Sequence, residues 1–285
     1  MDRVHGRGWW HRLMRGVSRT SHAEAAERLE ALLDRTPDAG ARSQLGAELF
    51  GVVDLLDSSV PLRRALTDPS RDGESKARLL ARLLEGKVSS DAADLLGGAA
   101  RSRWSAAHDL ADSVEILAVD TVLAAAESSD RLDRTEEEVS RAASQLTRDR
   151  GVRSALLERR AGAKAKSDLV GRLVAGGSPE TDVLVRRMAS APRGRRPEAA
   201  FEFVTQAAAR RRQRLVAHVS VATWPTDEQQ QRLAAALTRT YGRQVRLAID
   251  LDPDVVGGMR VQIGDDVIDG TVSRRLDEAS EQLGR

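Results

Sequence analysis

Few groupings in this 285-residue chain have the residue types and spacing that chemistry requires. Asp250, Asp252 and Asp254 stand at alternate positions, as the first three oxygen ligands of a calcium loop do. Such a loop needs glycine at its sixth position and glutamate at its twelfth, where this chain has Val255 and Val261. With Pro253 inside the segment, the three acids read as solvated turn residues. The stretch from Gly162 to Ser167 has the outline of a phosphate loop. It lacks the glycine before the lysine and the strand that should precede it, so it reads as a helix start. The histidines are His5, His11, His22, His108 and His218, with no i, i+4 pair and no adjacent carboxylate pattern for zinc or a catalytic triad. They are expected to face solvent or a partner. Arg210, Arg211, Arg212 and Arg214 form a cationic run without interleaved aromatics, so it offers no base-stacking platform. Cations at a helix C-terminus also complement the helix dipole. No nucleophile, acid–base pair, cofactor loop or metal set emerges, and an enzyme, a cofactor and a metal are not expected.

Composition narrows the class further. There is no cysteine, which excludes disulfides and thiolate metal sites. Aromatics are 3% of the chain and charged residues 31%, with alanine, leucine and arginine abundant, as suits helices packed through small aliphatic side chains. The most apolar window, Ile116 to Ala126, is interrupted by Asp120, and no run approaches the roughly 20 apolar residues of a membrane helix. No signal-peptide pattern is present, so a cytoplasmic location is expected. The isoelectric point near 9.4 invites a nucleic-acid reading. However, residues 1–19 carry five arginines against one aspartate, and the whole chain is only +2, so the remainder is slightly acidic. A basic helical nucleic-acid binder is therefore the alternative reading, not the first. Residues 1–18, with Trp9 and Trp10, read as a basic disordered arm, or as sequence ahead of a start at Met14.

From Ser21 onward the period is helical. Ala25, Ala26, Leu29, Leu32 and Leu33 make one apolar stripe, and Leu45, Leu49, Val52, Val53 and Leu56 a second. Shorter helices follow from Pro61, from Ser75 and from Ala92, and another runs from His108. The design then recurs about 90 residues later. Leu62 to Leu66 aligns with Val152 to Leu156, and Lys76 to Gly86 aligns without a gap with Lys166 to Gly176. Arg103 falls on Arg193, and Leu49, Val52 and Leu56 fall on Val139, Ala142 and Leu146. Such regular spacing points to tandem duplication of one helical bundle. Two copies do not make a solenoid. The expected division is an extra bundle over residues 19–111 and a second bundle over 112–212, with one continuous helix or a tight joint near 108–118 between them. Trp104 and Trp224 are expected as core anchors.

After a helix from Pro197, the period changes to two. Leu215, Ala217, Val219 and Val221 alternate as a strand, and Thr226 with Gln229 forms a capping box for the next helix. Val245, Leu247, Ile249 and Leu251, then Met259, Val261 and Ile263, make two further strands. Asp252, Pro253, Gly257 and Gly258 supply the reversal between them, and Gly264 and Asp265 the next turn. Ile268, Asp269, Gly270 and Thr271 lead into a last helix with Val272, Leu276, Ala279 and Leu283. The fold expected is mainly α: two tandem antiparallel helical bundles and a small β-α-β-β-α domain over residues 213–285.

The run Asp-Pro-x-Val-Val-Gly-Gly, an alternating strand, Gly-Asp, then Ile-Asp-Gly-Thr-Val-x-x-Arg-Leu resembles the C-terminal signature of the delta subunit of F-type ATP synthase, relative of the mitochondrial oligomycin-sensitivity-conferring protein. Residues Asp252, Pro253, Gly257, Gly258, Gly264, Asp265, Ile268, Asp269, Gly270, Thr271, Arg275 and Leu276 carry it. Thr271 stands where the family usually has serine, and the capping hydroxyl is kept. Arginine-rich usage and the duplicated front half are closest to the actinobacterial type. The resemblance implies a peripheral-stalk subunit on the cytoplasmic face of the membrane. It implies that a bundle grips the N-terminal helix of an alpha subunit on the catalytic head. The C-terminal domain would hold the C-terminal end of a separate b subunit. The signature residues are expected to shape the turns and carry no chemistry.

Overall fold

A computed structural model describes residues 16–269 except Pro37, Arg159, Leu215, 242–244, 253–254, Val256 and 264–265. Two compact units are present, Met1–Ala207 and Ala208–Arg285. The described part of the first is helical throughout. Its elements are α1 (Val17–Arg35), α2 (Ala39–Ser58), α3 (Val60–Thr67), α4 (Gly73–Leu84), α5 (Ser90–Arg101), α6 (Asp109–Ser128), α7 (Leu132–Arg148), α8 (Arg150–Leu157), α9 (Ala163–Leu173), α10 (Pro179–Ser190) and α11 (Pro197–Arg214), the last running across the division.

Local chemistry explains most of the boundaries. Asp38 caps α2 by accepting from the Ala41 amide at 2.7 Å, and Asp72 caps α4 through the Ser75 amide at 2.8 Å. Gly16 precedes α1, so the helix starts at Val17, earlier than the Ser21 expected, and Ser18 is already buried. Arg42 closes the other ends. Its guanidinium donates to the Leu33 and Thr36 carbonyls after α1 and to the Ala124 carbonyl near the end of α6, at 2.6–2.8 Å. The Leu33 and Thr36 carbonyls lie at the end of α1, where a helix leaves its carbonyls without an intrahelical donor.

The duplication is visible element by element. Helices α3 and α8 start at 60 and 150, and α4 and α9 at 73 and 163. Gly86 and Gly176 both end a helical turn with positive φ, 68° and 82°, where a side chain would be strained. Ser89 caps α5 and Ser178 caps α10. In the same order, α1–α6 make one six-helix set and α6–α11 a second. Helix α6 closes the first and opens the second.

Helix α6 is accordingly apolar on all sides, with 16 of its 20 residues buried. It touches α1, α2, α3 and α5 of the first set and α7 and α10 of the second. Helices α2 and α6 approach closely at Gly46, where a Cβ would lie 2.7 Å from Val122 Cγ2.

The second unit holds β1 (Val216–Val221), α12 (Asp227–Tyr241), β2 (Arg246–Leu251), β3 (Met259–Ile263) and β4 (Asp266–Asp269). The strand order is β2-β1-β3-β4, with β1 parallel to β2 and the other pairs antiparallel. Val219 sits opposite both Ile249 and Val261, so one sheet face is apolar, and with Leu237 of α12 it forms the core. Thr226 and Gln229 make the reciprocal capping box, the Thr226 amide donating to Gln229 Oε1 at 2.9 Å and the Gln229 amide to Thr226 Oγ1 at 3.3 Å. Strand β4 is an addition to the expected β-α-β-β-α order. Its four residues are too few to show a period. The expected last helix lies outside the described residues.

Two glycines of α2 give a paired test. Gly46→Ala should destabilise the fold by about 1–3 kcal/mol through overpacking against α6. Gly51→Ala faces open space on the exposed side of the same helix and should stabilise by about 0.5–1 kcal/mol. Urea denaturation of both variants checks the sign of each.

Candidate functional site

The described side chains do not assemble a reaction centre. What they do assemble is a set of buried and half-buried ion pairs that tie the two helical sets together. Two arginines in the α10–α11 connection and one in α10 supply the cations. Arg193 Nε lies 2.6 Å from Asp57 Oδ2, and its Nη1 is 2.8 Å from both Asp112 Oδ1 and Glu115 Oε2. Arg195 donates to both oxygens of Glu115 at 2.8 and 2.6 Å. Arg187 reaches Asp54 of α2 at 2.8 Å and lies over the Phe50 ring at 4.9 Å. Its Nε and Nη2 have no hydrogen-bond acceptor, and the ring face partly replaces one. Arg195 stacks similarly on Phe203 at 4.6 Å.

Glu115 is the centre of this network and is fully buried. A carboxylate there costs several kcal/mol of desolvation, and its two guanidinium partners offset that cost only because both are close and well aligned. Burial pushes the Asp112 carboxyl above its ordinary range, against the opposing pull of Arg193. Burial would lower the Arg193 guanidinium, but the hydrogen bond to Asp57 and the charges of Glu115 and Asp112 raise it overall. His108, Asp109 and Asp112 bring ligand atoms within 4.8 Å of one another. Asp109 Oδ2 accepts from Ser18 Oγ and from the Ala106 amide, and Arg193 brings the positive charge to Asp112. Those acids serve the packing of α6.

A second pattern repeats between the copies. Glu48 of α2 accepts from the Ser89 amide and hydroxyl at 3.0 and 2.6 Å, fixing the start of α5. Glu138 of α7 accepts from the Ser178 amide at 2.8 Å and from Thr181 Oγ1 at 2.7 Å, fixing the start of α10. Burial would raise the Glu138 carboxyl, but the donors Ser178, Arg134 and Thr181 outweigh it and bring it down to about 2.

Several expectations need correction. His22 does not face solvent or a partner: it is buried and its Nδ1 lies 2.8 Å from Ser113 Oγ. Trp224 is no core anchor, being 57% exposed, whereas Trp104 is buried with its Nε1 donating to the Ala99 carbonyl. Arg211, within the cationic run, is buried. The Asp54, Asp57, Glu115 and Arg193 cluster left no signal in the sequence beyond the Arg103–Arg193 alignment, because its members are 54 to 193 along the chain.

Of the signature residues, Asp252 donates its amide to the Val221 carbonyl at 3.0 Å and starts the turn after β2. Gly257 and Gly258 take φ of 69° and 77°, which only glycine adopts without strain. Ile268 pairs with Val261 and Asp269 with Arg260 in β4. Pro253, Gly264, Asp265, Gly270, Thr271, Arg275 and Leu276 lie outside the described residues.

These features define a class: tandem helical sets sharing one buried helix, followed by a small α+β unit, held by structural ion pairs. The profile of the ATP synthase delta (OSCP) subunit family matches residues 119–283. The ATP synthase subunit delta of Streptomyces griseus is 46% identical over 95% of this chain and 99% of its own length. That of Kineococcus radiotolerans is 47% identical over 94% and 97%, and that of Streptomyces coelicolor 46% over 95% and 98%. The chain belongs to the ATP synthase delta (OSCP) subunit family, whose members are structural stalk subunits and not catalytic ones. The profile starts inside α6, while the three relatives extend over the first helical set as well.

Glu115→Ala would leave Arg193 and Arg195 without their buried counter-charge and should cost about 3–5 kcal/mol. Asp112→Asn should stay within about 1 kcal/mol of the parent, since Glu115 still serves Arg193. Urea midpoints distinguish the two. For Glu138 the folded carboxyl lies near 2, below its unfolded value of 4.5. Its contribution is therefore full above pH 4.5 and lost as pH falls towards 2. Glu138→Gln should lower stability by about 1–3 kcal/mol at pH 7, and the gap should close over that acidic window in parallel denaturation series.

Proposed function

We propose that this chain works in the peripheral stalk of the F-type ATP synthase as the link between the catalytic head and the b subunit. Its helical part grips the N-terminal helix of an alpha subunit, and its C-terminal domain holds the C-terminal end of b. The assignment of three functional modules, residues 19–111, 112–212 and 213–285, belongs to the same proposal. The task is mechanical: the head must not turn with the rotor while proton flow drives ATP synthesis. The complex sits on the membrane, the chain as a peripheral component on the cytoplasmic face. No described helix is long and apolar enough to cross a membrane.

The observation that best supports this reading is the shared helix α6 with Glu115 locked between Arg193 and Arg195. A link that resists torque must not yield between its attachment points. Two helical sets that bury one helix in common, and are cross-tied by ions, resist separation better than two bundles on a linker. Two attachment sites on one chain also hold a complex together through effective concentration.

Calorimetry on the full chain tests the proposal. A synthetic peptide of the alpha N-terminal helix and one of the b C-terminal end should each bind, and saturation with one should leave the other's affinity unchanged. Failure of both to bind the folded chain would overturn the stalk-link reading. Duplex DNA binding with a steep salt dependence would favour the nucleic-acid alternative instead.

A further inference from the structure

The first helical set contains a cavity of about 120 Å³ between the start of α4 and the end of α5. Thr67, Arg71, Lys76, Arg101, Arg103 and Trp104 line it together with one carboxylate, Asp72. Lys76 is 3% exposed, yet it is a cation. Its Nζ donates to the Ser102 carbonyl at 2.8 Å, using one of three donors. Among the described residues, no carboxylate lies within ion-pair reach of Lys76 or Arg103. The acids nearby are engaged elsewhere. Asp68 accepts from the Ser70 amide and hydroxyl and pairs weakly with Arg71 at 3.7 Å. Asp72 caps α4, so that helix start is already served, and Glu74 takes Arg101 at 2.6 Å. Burial, and then the charge of Arg103, hold the Lys76 ammonium below its ordinary range, with Asp68 and Asp72 offsetting part of this. Positive charge gathered around a small void with too few counter-charges is unfavourable unless an anion enters.

The other copy provides an internal control. At the positions of Thr67, Arg71, Asp72, Arg101 and Trp104 it has Leu157, Ala161, Gly162, Ala191 and Gly194. It keeps Lys166 and Arg193, but Arg193 is spent on Asp57, Asp112 and Glu115. The second copy therefore folds without the full set of cations that the first gathers around this cavity.

We propose that the cavity is a binding site for a phosphate-class oxyanion, held by Lys76 and Arg103 with Arg71 and Arg101 adding flanking charge. Cations converging from separate elements suit a tetrahedral dianion. A flat carboxylate is best met by one bidentate arginine. The cavity holds a single phosphoryl group, either free phosphate or the terminal group of a nucleotide. The inference does not depend on the stalk assignment.

Isothermal titration of the full chain at constant ionic strength in chloride tests it, with sodium phosphate and ATP as separate titrants. Saturable binding with a dissociation constant on the order of 0.1–1 mM is expected. Tighter binding of ATP would identify a nucleotide as the source, and binding of phosphate alone the free ion. Arg103→Ala, at an exposed position, should weaken binding at least about tenfold with the helical circular dichroism unchanged. Lys76→Met, which keeps the packing volume, should abolish it. No saturable heat with either titrant, equal affinity for acetate, or phosphate binding unchanged in Arg103→Ala would each overturn the proposal.

Discussion

Burial of α6 is the constraint on which the helical unit depends. A helix that is apolar all round has no side to turn to water, so it must be coated completely. Six helices, drawn from both halves of the duplication, supply the coat. Each fully buried Leu, Ile or Val on it is worth about 1.5–3 kcal/mol relative to exposure. The second set therefore lacks a first helix of its own, and the first set lacks a last one. Cutting the chain at residue 111 or 112 severs the first turn of this helix and uncovers part of the apolar surface of each half.

The ion network is the polar counterpart of the same constraint. Glu115 would be a liability in a helix buried among side chains alone. With Arg193 and Arg195 it becomes a tie that only one register of the second set against the first can satisfy. Net stabilisation from such a group is small, because desolvation cancels most of the attraction. Its effect is on specificity: a shifted packing would leave a buried charge alone. The stacked Phe50 and Phe203 rings restrict the guanidinium planes further.

Local signals made much of this fold legible. The stripe over Leu45–Leu56, the capping box at Thr226 and Gln229, and the strands through Val219 and Val261 rest on neighbours three or four residues away, or on alternation. The ninety-residue offset was readable because each copy keeps its own turn glycine at Gly86 and Gly176. The misses have a common cause. His22 is buried by Ser113, 91 residues away, and Arg193 meets Asp57 across 136. A polar residue looks solvent-facing in sequence whenever its partner is distant. Trp224 fails in the opposite way: a large apolar side chain reads as core by default, although much of any protein surface is apolar.

The divergence between the copies follows from their places in the chain. Both retain the Glu-to-Ser tether, Glu48 with Ser89 and Glu138 with Ser178, because each set must fix its fifth helix. Arg193 and Arg103 occupy equivalent positions but have separate environments. The first faces the acids of α2 and α6; the second faces the edge of α1, where Ser21 Oγ donates to its carbonyl and, among the described residues, no acid pairs with its side chain. A joint between the copies has to exist only once. The arginine at the outer end is thereby relieved of a structural duty that its counterpart cannot give up, and the surface around it is free to change without loosening α6.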